Sequence, residues 1–309
     1  MRIVFMGTPD FAANILQQLI ESQHDIVLVV SQPDRPAGRK RELFPTPVKK
    51  VALAHSIPVF QPEKIKTEHD TIMAANPDII ITAAYGQIVP KAIIETPPLG
   101  CINVHASLLP KYRGGAPIHQ AIIDGEVETG ITIMYMDVGL DTGDIISQQS
   151  TPITEADDTG TLFERLSEIG AELLIKTLPS IEVGTNARQK QEESKVTYAY
   201  NITRAQELID WSKMAKEIFN QIRGLNPFPT AYTVISGQNV KIFKSEMISG
   251  EKSEPGTVIA VSAAGIDISC GGGDVIRVTE LQLAGKKRMP LKDLLNGEHP
   301  FVVGAKFGN

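Results

Sequence analysis

Near the middle of the chain, Asn103 and His105 stand two residues apart in an apolar run, Cys101 to His105, that reads as a strand. Alternate strand residues face the same side, so an amide that donates hydrogen bonds and an imidazole that carries a proton share one face. That pairing suits a reaction through a tetrahedral oxyanion, in which one group holds the developing charge and the other manages a proton. Downstream, Asp137-Val138-Gly139-Leu140-Asp141-Thr142-Gly143-Asp144 joins the runs Ile131 to Met136 and Ile145 to Gln148. The loop lacks the later bidentate Glu of a calcium loop. One of its carboxylates would orient His105, and spacing leaves Asp137, Asp141 and Asp144 equally eligible.

Two other segments invite a chemical reading. The turn Gly7-Thr8-Pro9-Asp10 follows a strand pattern but lacks G-x-G-x-x-G, so close backbone approach to a pyrophosphate is not provided for, and a nicotinamide enzyme is a weak reading. The second is a proline-rich insertion after Gln32. Between Asp34 and Lys50, Arg35, Arg39, Lys40, Arg41, Lys49 and Lys50 oppose only Asp34 and Glu42, a local net charge of +4 in a chain whose total is -6. Such a run is either a solvated face or a grip on a phosphate backbone. Lys286-Lys287-Arg288 forms a smaller basic cluster near the carboxyl end.

These residues need a scaffold. Strand patterns at Ile3 to Met6, Ile26 to Val30, Asp78 to Ala84 and Cys101 to His105 alternate with helical patterns at Asp10 to Glu21, Pro47 to Ala54 and Pro117 to Ile123. The strands carry little polar alternation, as expected where helices cover both faces of a parallel, doubly wound sheet. Thr8 is placed to cap the first helix and Thr46 the second. A longer amphipathic helix over Asp158 to Leu178 closes this part. The polar stretch Glu182 to Tyr200 reads as an exposed connection, and a capping box, Thr203 with Gln206, opens a helix ending at Gly224. Five short strand patterns follow between Tyr232 and Leu283, at a spacing that suggests a small barrel. The predicted division is a catalytic domain over 1–189, a linker over 190–204 and a terminal domain over 205–309.

With 309 residues, 42% of them hydrophobic, the composition is that of a globular protein and excludes collagen-like, coiled-coil and disordered classes. Cys101 and Cys270 are the only cysteines and sit in no ligand spacing, which implies reduced thiols, a cytoplasmic address, and neither a zinc site nor a disulfide framework. No apolar stretch reaches the length of a membrane span. No metal-binding cluster is visible.

The segment Asn103-Val104-His105-Ala106-Ser107-Leu108-Leu109-Pro110-Lys111-Tyr112-Arg113-Gly114-Gly115-Ala116-Pro117-Ile118, together with Asp141 in Val138-Gly139-Leu140-Asp141-Thr142-Gly143, resembles the 10-formyltetrahydrofolate-dependent formyltransferases. Those motifs are shared across the superfamily. Three features are similar to its tRNA-acting members: Phe5-Met6-Gly7-Thr8-Pro9-Asp10-Phe11, the insertion Gln32-Pro33-Asp34-Arg35-Pro36-Ala37-Gly38-Arg39, and a small β domain after residue 204. The resemblance covers essentially the full length.

It implies a Rossmann-like formyltransferase domain followed by an OB-like β-barrel, with Asn103, His105 and Asp141 as the catalytic set. The implied co-substrate is 10-formyltetrahydrofolate, held by Tyr85, Gly86, Gln87, Ile88, Ser107, Leu108, Leu109, Pro110, Val138, Gly139 and Leu140. The implied acceptor is initiator Met-tRNA, gripped by Arg39, Lys40, Arg41, Lys286, Lys287 and Arg288. No metal, membrane or obligate protein partner is implied. A formyltransferase acting on a small amine, such as a nucleotide sugar or purine precursor, is the alternative; a non-catalytic RNA-binding module is disfavoured by the intact Asn, His and Asp.

Overall fold

The computed structural model describes residues 1–37, 42–250, 253–297 and 299–308. Its first sheet is built from β1 (Arg2–Gly7), β2 (Asp25–Val30), β5 (Val59–Phe60), β6 (Ile79–Ala83), β7 (Cys101–His105), β8 (Glu128–Tyr135) and β9 (Ile145–Pro152), in the order β5-β2-β1-β6-β7-β8-β9. A two-stranded hairpin, β3 (Arg35–Ala37) with β4 (Glu42–Phe44), stands apart. From β1 the chain winds outward through β2 and β5, then returns to β6 and β7 on the other side. The switch point is therefore between β1 and β6, where open α/β sheets form their ligand crevice.

Strands β5 to β7 along this path are parallel, as the unbroken apolar runs predict, with every residue of β6 buried. The last two strands depart from that expectation, because β8 runs antiparallel to β7 and β9 antiparallel to β8. The connection between β8 and β9 is too short for a crossover, which takes a dozen or more residues.

Helices α1 (Asp10–Ile20), α2 (Pro47–Ala54) and α5 (Pro117–Ile123) form where the periodicity places them. Thr46 caps α2 through the Lys49 N–H, at 3.2 Å. Thr8 does not cap α1; its hydroxyl donates to the Tyr85 carbonyl at 2.8 Å and ties the turn after β1 to the loop after β6. Gly7 is explained by packing: a Cβ there would lie 2.6 Å from Ala12 Cβ and 3.0 Å from the Ala83 carbonyl oxygen. Short helices α3 (Asp70–Ala74) and α4 (Lys91–Ile94) follow the insertion and β6, and α6 (Thr159–Glu182) runs one turn past its predicted end.

After Thr203 the single predicted helix is two, α7 (Arg204–Glu207) and α8 (Ala215–Gly224). The capping box is present, with Gln206 Oε1 accepting the Thr203 N–H at 2.9 Å. The helix is cut by an Asx turn in which Asp210 Oδ1 accepts the Ser212 N–H at 3.0 Å, while Trp211 is buried and donates from its indole to Thr233 at 2.9 Å. Strands β10 (Ala231–Ile235), β11 (Gln238–Ile248), β12 (Val258–Ser262), β13 (Gly265–Ser269) and β14 (Val275–Leu283) fall close to the predicted ones. They form an antiparallel sheet in the order β10-β11-β14-β13-β12, with β15 (Met289–Pro290) on β14 and α9 (Leu291–Leu294) following. The carboxyl-terminal segment bridges both sheet edges, Phe307 to Ile235 and Lys306 to Thr257, so the edges are covered as in a small barrel.

The chain divides into two compact units, one of Met1–Pro117, Glu128–Pro152 and Phe163–Tyr200, the other of Ile118–Val127, Ile153–Leu162 and Asn201–Asn309. Among the described residues no helix is long and apolar enough to cross a membrane, and no cluster of His, Cys, Asp and Glu suits a metal ion.

Candidate active site

Three elements of the first unit meet at one point. Strand β7 presents Asn103 and His105 on one face, the segment after it supplies Tyr112 and Gly114, and the loop between β8 and β9 supplies Asp141. Because β8 is antiparallel, its end at Tyr135 lies opposite Ile102, and the Met136 N–H donates to the Cys101 carbonyl at 2.8 Å. The acidic loop therefore starts at the far end of β7 and doubles back to bring Asp141 Oδ2 within 3.7 Å of His105 Nδ1.

The three carboxylates that spacing left equivalent have separate tasks. Asp137 Oδ1 accepts the Gly139 N–H at 2.9 Å and the Thr142 hydroxyl, closing the loop on itself. Asp144 Oδ2 accepts from Arg188 Nε at 3.1 Å. Asp141 alone faces His105, and its Oδ2 also accepts the Gly114 N–H at 2.8 Å.

His105 is 5% exposed, and its Nε2 lies 3.0 Å from the Tyr112 carbonyl. A carbonyl only accepts, so Nε2 carries the proton there. Nδ1 then faces a carboxylate, and only the imidazolium offers a donor on both sides. Asn103 is half-buried. Its Oδ1 accepts the Thr82 hydroxyl from β6 at 2.8 Å, in line with the register that pairs Thr82 with Asn103. With the oxygen engaged, Nδ2 is the edge left to donate, and it has no partner among the described residues.

Backbone geometry fixes these positions. Tyr112 and Asp141 hold φ of 61° and 53°, the left-handed region that ordinary side chains avoid. Gly114, at φ 121°, is required twice over, because a Cβ there would also sit 2.7 Å from the Ala199 carbonyl oxygen. The Tyr112 N–H donates to Thr197 Oγ1 at 2.9 Å, and Arg113 exchanges backbone hydrogen bonds with Thr197 and Ala199 at 2.9 and 2.8 Å. The stretch from Glu182 to Tyr200 is thus exposed along most of its length, as its composition predicts, yet it is fastened to the turn that holds His105. Tyr112 and Gly114 lie within the Asn103 to Ile118 motif but act through the backbone, and Thr82 and Thr197 through one hydroxyl each, so the sequence singles out none of the four as a site residue.

The other expected contacts divide. Tyr85 is 4% exposed, and burial, with Glu68's charge, pushes its phenol up to about 12. Its hydroxyl has no hydrogen-bond partner among the described residues. Gly86 turns the loop at φ 94°, and Gln87 Oε1 accepts the Ile65 N–H at 2.9 Å. Ile88, Val138 and Leu140 are large apolar side chains left exposed on loops, Ile88 at 90%. Gln87 and Ile88 also line a cavity of about 590 Å³ with Ile65, Pro90 and three lysines, Lys64, Lys66 and Lys91. Ser107 is fully buried and donates to the Lys111 carbonyl at 2.7 Å. Leu108 is half-buried, the Leu109 N–H donates to Thr132 at 3.1 Å, and Leu109–Pro110 is a cis peptide.

Arg39, Lys40 and Arg41 lie outside the described residues. Lys286 and Lys287 are exposed in the turn between β14 and β15. Arg288 is engaged within its own unit, forked onto Glu280 at 2.6 and 3.0 Å and lying over the Phe243 ring at 4.3 Å.

A doubly wound sheet that sets an amide, a histidine and an aspartate at one face, followed by a closed antiparallel sheet, is the arrangement of a group transferase, and the chain belongs to the formyl transferase family. The family's formyl transferase profile matches residues 1–178, and its C-terminal domain profile matches residues 201–299. The chain is 53% identical over 311 residues to methionyl-tRNA formyltransferase of Bacillus mycoides (strain KBAB4), spanning 100% of this chain and 99% of that one. Among solved structures it resembles methionyl-tRNA formyltransferase from Clostridium thermocellum, with a TM-score of 0.58 and 22% identity, over 88% of this chain and 100% of that one. It also resembles HypX from Aquifex aeolicus in complex with tetrahydrofolic acid, with a TM-score of 0.68 and 17% identity. That likeness covers 96% of this chain but 47% of HypX, so the chain spans about half of that protein.

Proposed function

We infer that the chain transfers the formyl group of 10-formyltetrahydrofolate to the free α-amine of methionine esterified to initiator tRNA, giving formylmethionyl-tRNA for translation initiation. The full-length likeness to relatives named for that activity supports the acceptor, and the role implies a cytoplasmic site of action. The observation that carries the chemistry is the unspent Asn103 Nδ2 beside a His105 whose second nitrogen faces Asp141.

Attack of the amine on the formyl carbon makes a tetrahedral centre with a negatively charged oxygen. Asn103 Nδ2 donates to that oxygen and His105 Nε2 leaves the Tyr112 carbonyl to donate to it as well, Asp141 pairs with the imidazolium at Nδ1, and Thr82 keeps the Asn103 amide from turning. Collapse breaks the bond from the formyl carbon to the folate nitrogen, which takes up the proton given by the attacking amine. Tyr85 to Ile88, Ser107 to Pro110 and Val138 to Leu140 hold the folate, whose rings would cover Ile88, Val138 and Leu140. Lys64, Lys66 and Lys91 suit the carboxylates of its glutamyl tail. Residues 205–309 and Arg39, Lys40 and Arg41 take the tRNA backbone, with Lys286 and Lys287 the freer members of the second basic cluster. Losing one oxyanion donor typically lowers turnover ~10²- to 10³-fold, so Asn103→Ala and His105→Ala protein should stay folded and lose most formyl transfer to Met-tRNA. Near-normal formylation by either variant would refute this reading.

A further inference from the structure

The polar stretch after α6 reaches the site through one side chain. Gln191 Nε2 donates to the carbonyl oxygens of both Asp141 and Gly143, each at 2.8 Å. On its other side Gln191 Oε1 accepts from Arg113 Nε at 3.0 Å, and Arg113 Nη2 donates to Glu193 at 2.9 Å. Arg113 is 1% exposed. The amide has one workable direction, because reversal would set its oxygen against two carbonyls and its NH₂ against a guanidinium.

Next to Arg113 in the chain, Gly114 donates its N–H to the Asp141 carboxylate at 2.8 Å. Asp141 is therefore held at both ends, its side chain by Gly114 directly and its backbone by Gln191, which Arg113 in turn holds. The backbone at Asp141 lies in the left-handed region, φ 53°, which a non-glycine residue leaves when nothing holds it there. Neighbouring bonds brace Gln191, since Gln189 and Ile145 exchange backbone hydrogen bonds at 2.8 and 2.9 Å.

We propose that Gln191 is a positioning residue for Asp141, with Arg113 fixing the direction of its amide. The proposal rests on the reading above, in which Asp141 acts on His105. Gln191 touches neither substrate nor the reacting atoms; it keeps the loop in the one conformation that brings the Asp141 carboxylate to His105.

Gln191→Glu separates this role from simple packing. Glutamate keeps the size and still accepts from Arg113, but it sets an acceptor against the two carbonyls. The expected result is a fall in kcat of about 10- to 100-fold, equivalent to two ordinary hydrogen bonds, with KM for folate and for Met-tRNA changed by no more than about twofold. In the Asp141→Asn background the same change should have no further effect, because residues acting as a unit are not additive. Amide hydrogen exchange gives a second readout free of activity: Gly114 N–H should exchange faster in Gln191→Glu, while Arg113 and Ala199 N–H do not. Gln191→Leu repeats both measurements should the Glu variant fold poorly. An unchanged kcat with unchanged Gly114 exchange overturns the proposal, and so does a loss of activity that persists in the Asp141→Asn background. If the wild-type chain transfers no formyl group, the functional reading fails, and Gly114 exchange alone then decides whether Gln191 places Asp141.

Discussion

Replacing Asp141 by Asn removes one charge and changes almost nothing else. The amide oxygen can still accept the Gly114 N–H, so the turn after β7 keeps its anchor. What disappears is the carboxylate charge that faces His105 Nδ1 across 3.7 Å and stabilises an imidazolium as the transition state forms. Side-chain exposures of 5% and 16% place this pair between bulk water and a dry interior. At the effective dielectric of about 20 that fits such pairs, two unit charges at that separation interact by about 4 kcal/mol, and each ~1.4 kcal/mol is tenfold in rate. Asp141→Asn should therefore lower kcat by roughly 10³-fold, with KM for either substrate little changed and the thermal midpoint within a few degrees of wild type. The assay is steady-state transfer from 10-formyltetrahydrofolate to Met-tRNA, with thermal unfolding as the control. A kcat within tenfold of wild type would show that the charge on Asp141 is not used, and the electrostatic account of His105 would be wrong.

Three further outcomes follow from other contacts in the structure. Gly114→Ala forces a Cβ to within 2.7 Å of the Ala199 carbonyl at a φ of 121°; activity and thermal midpoint should both fall, whereas loss of neither would mean the turn after β7 is not tightly held. Both cysteines are buried, and burial pushes the thiols up, that of Cys270 to about 12, so a thiol reagent should label neither in the native protein and both after unfolding. Lys49, donating at 2.6 Å, and then Gln61 hold the Asp34 carboxyl below its ordinary value. A depressed folded value means that this contribution is present above the ordinary carboxylate range and is lost as pH falls through the lowered value. Asp34→Asn should accordingly flatten the acid side of the plot of thermal midpoint against pH, and an unchanged slope there would refute the linkage.

What could be read in advance depended on whether the signal was local. Strand β6 is legible because five consecutive apolar or β-branched residues are buried on both faces, and β10 to β14 because turn residues separate short alternating runs. Asn103 and His105 are legible for the same reason, since a period of two needs no tertiary information. Strand direction is not local: the apolar runs of β8 and β9 suit either sense, and only the short connection carrying Asp141 hints at a hairpin. Spacing does not choose among Asp137, Asp141 and Asp144; the resemblance names Asp141, and the fold supplies the physical reason, because the loop doubles back across β7. Gln191 was out of reach altogether, lying in a polar stretch without periodicity whose partners are backbone carbonyls 48 and 50 residues away. The grouping of residues 118–127 and 153–162 with the terminal unit has no compositional mark either.

The account stands on the identity of the acceptor. The direct measurement is transfer of labelled formyl from 10-formyltetrahydrofolate by the purified chain, offered initiator Met-tRNA, an elongator-type tRNA carrying methionine, free methionine, or an amino sugar nucleotide. The account predicts efficient formylation of initiator Met-tRNA and little or none of the other three. Equal formylation of free methionine or of the amino sugar nucleotide, with no preference for the tRNA, would contradict it.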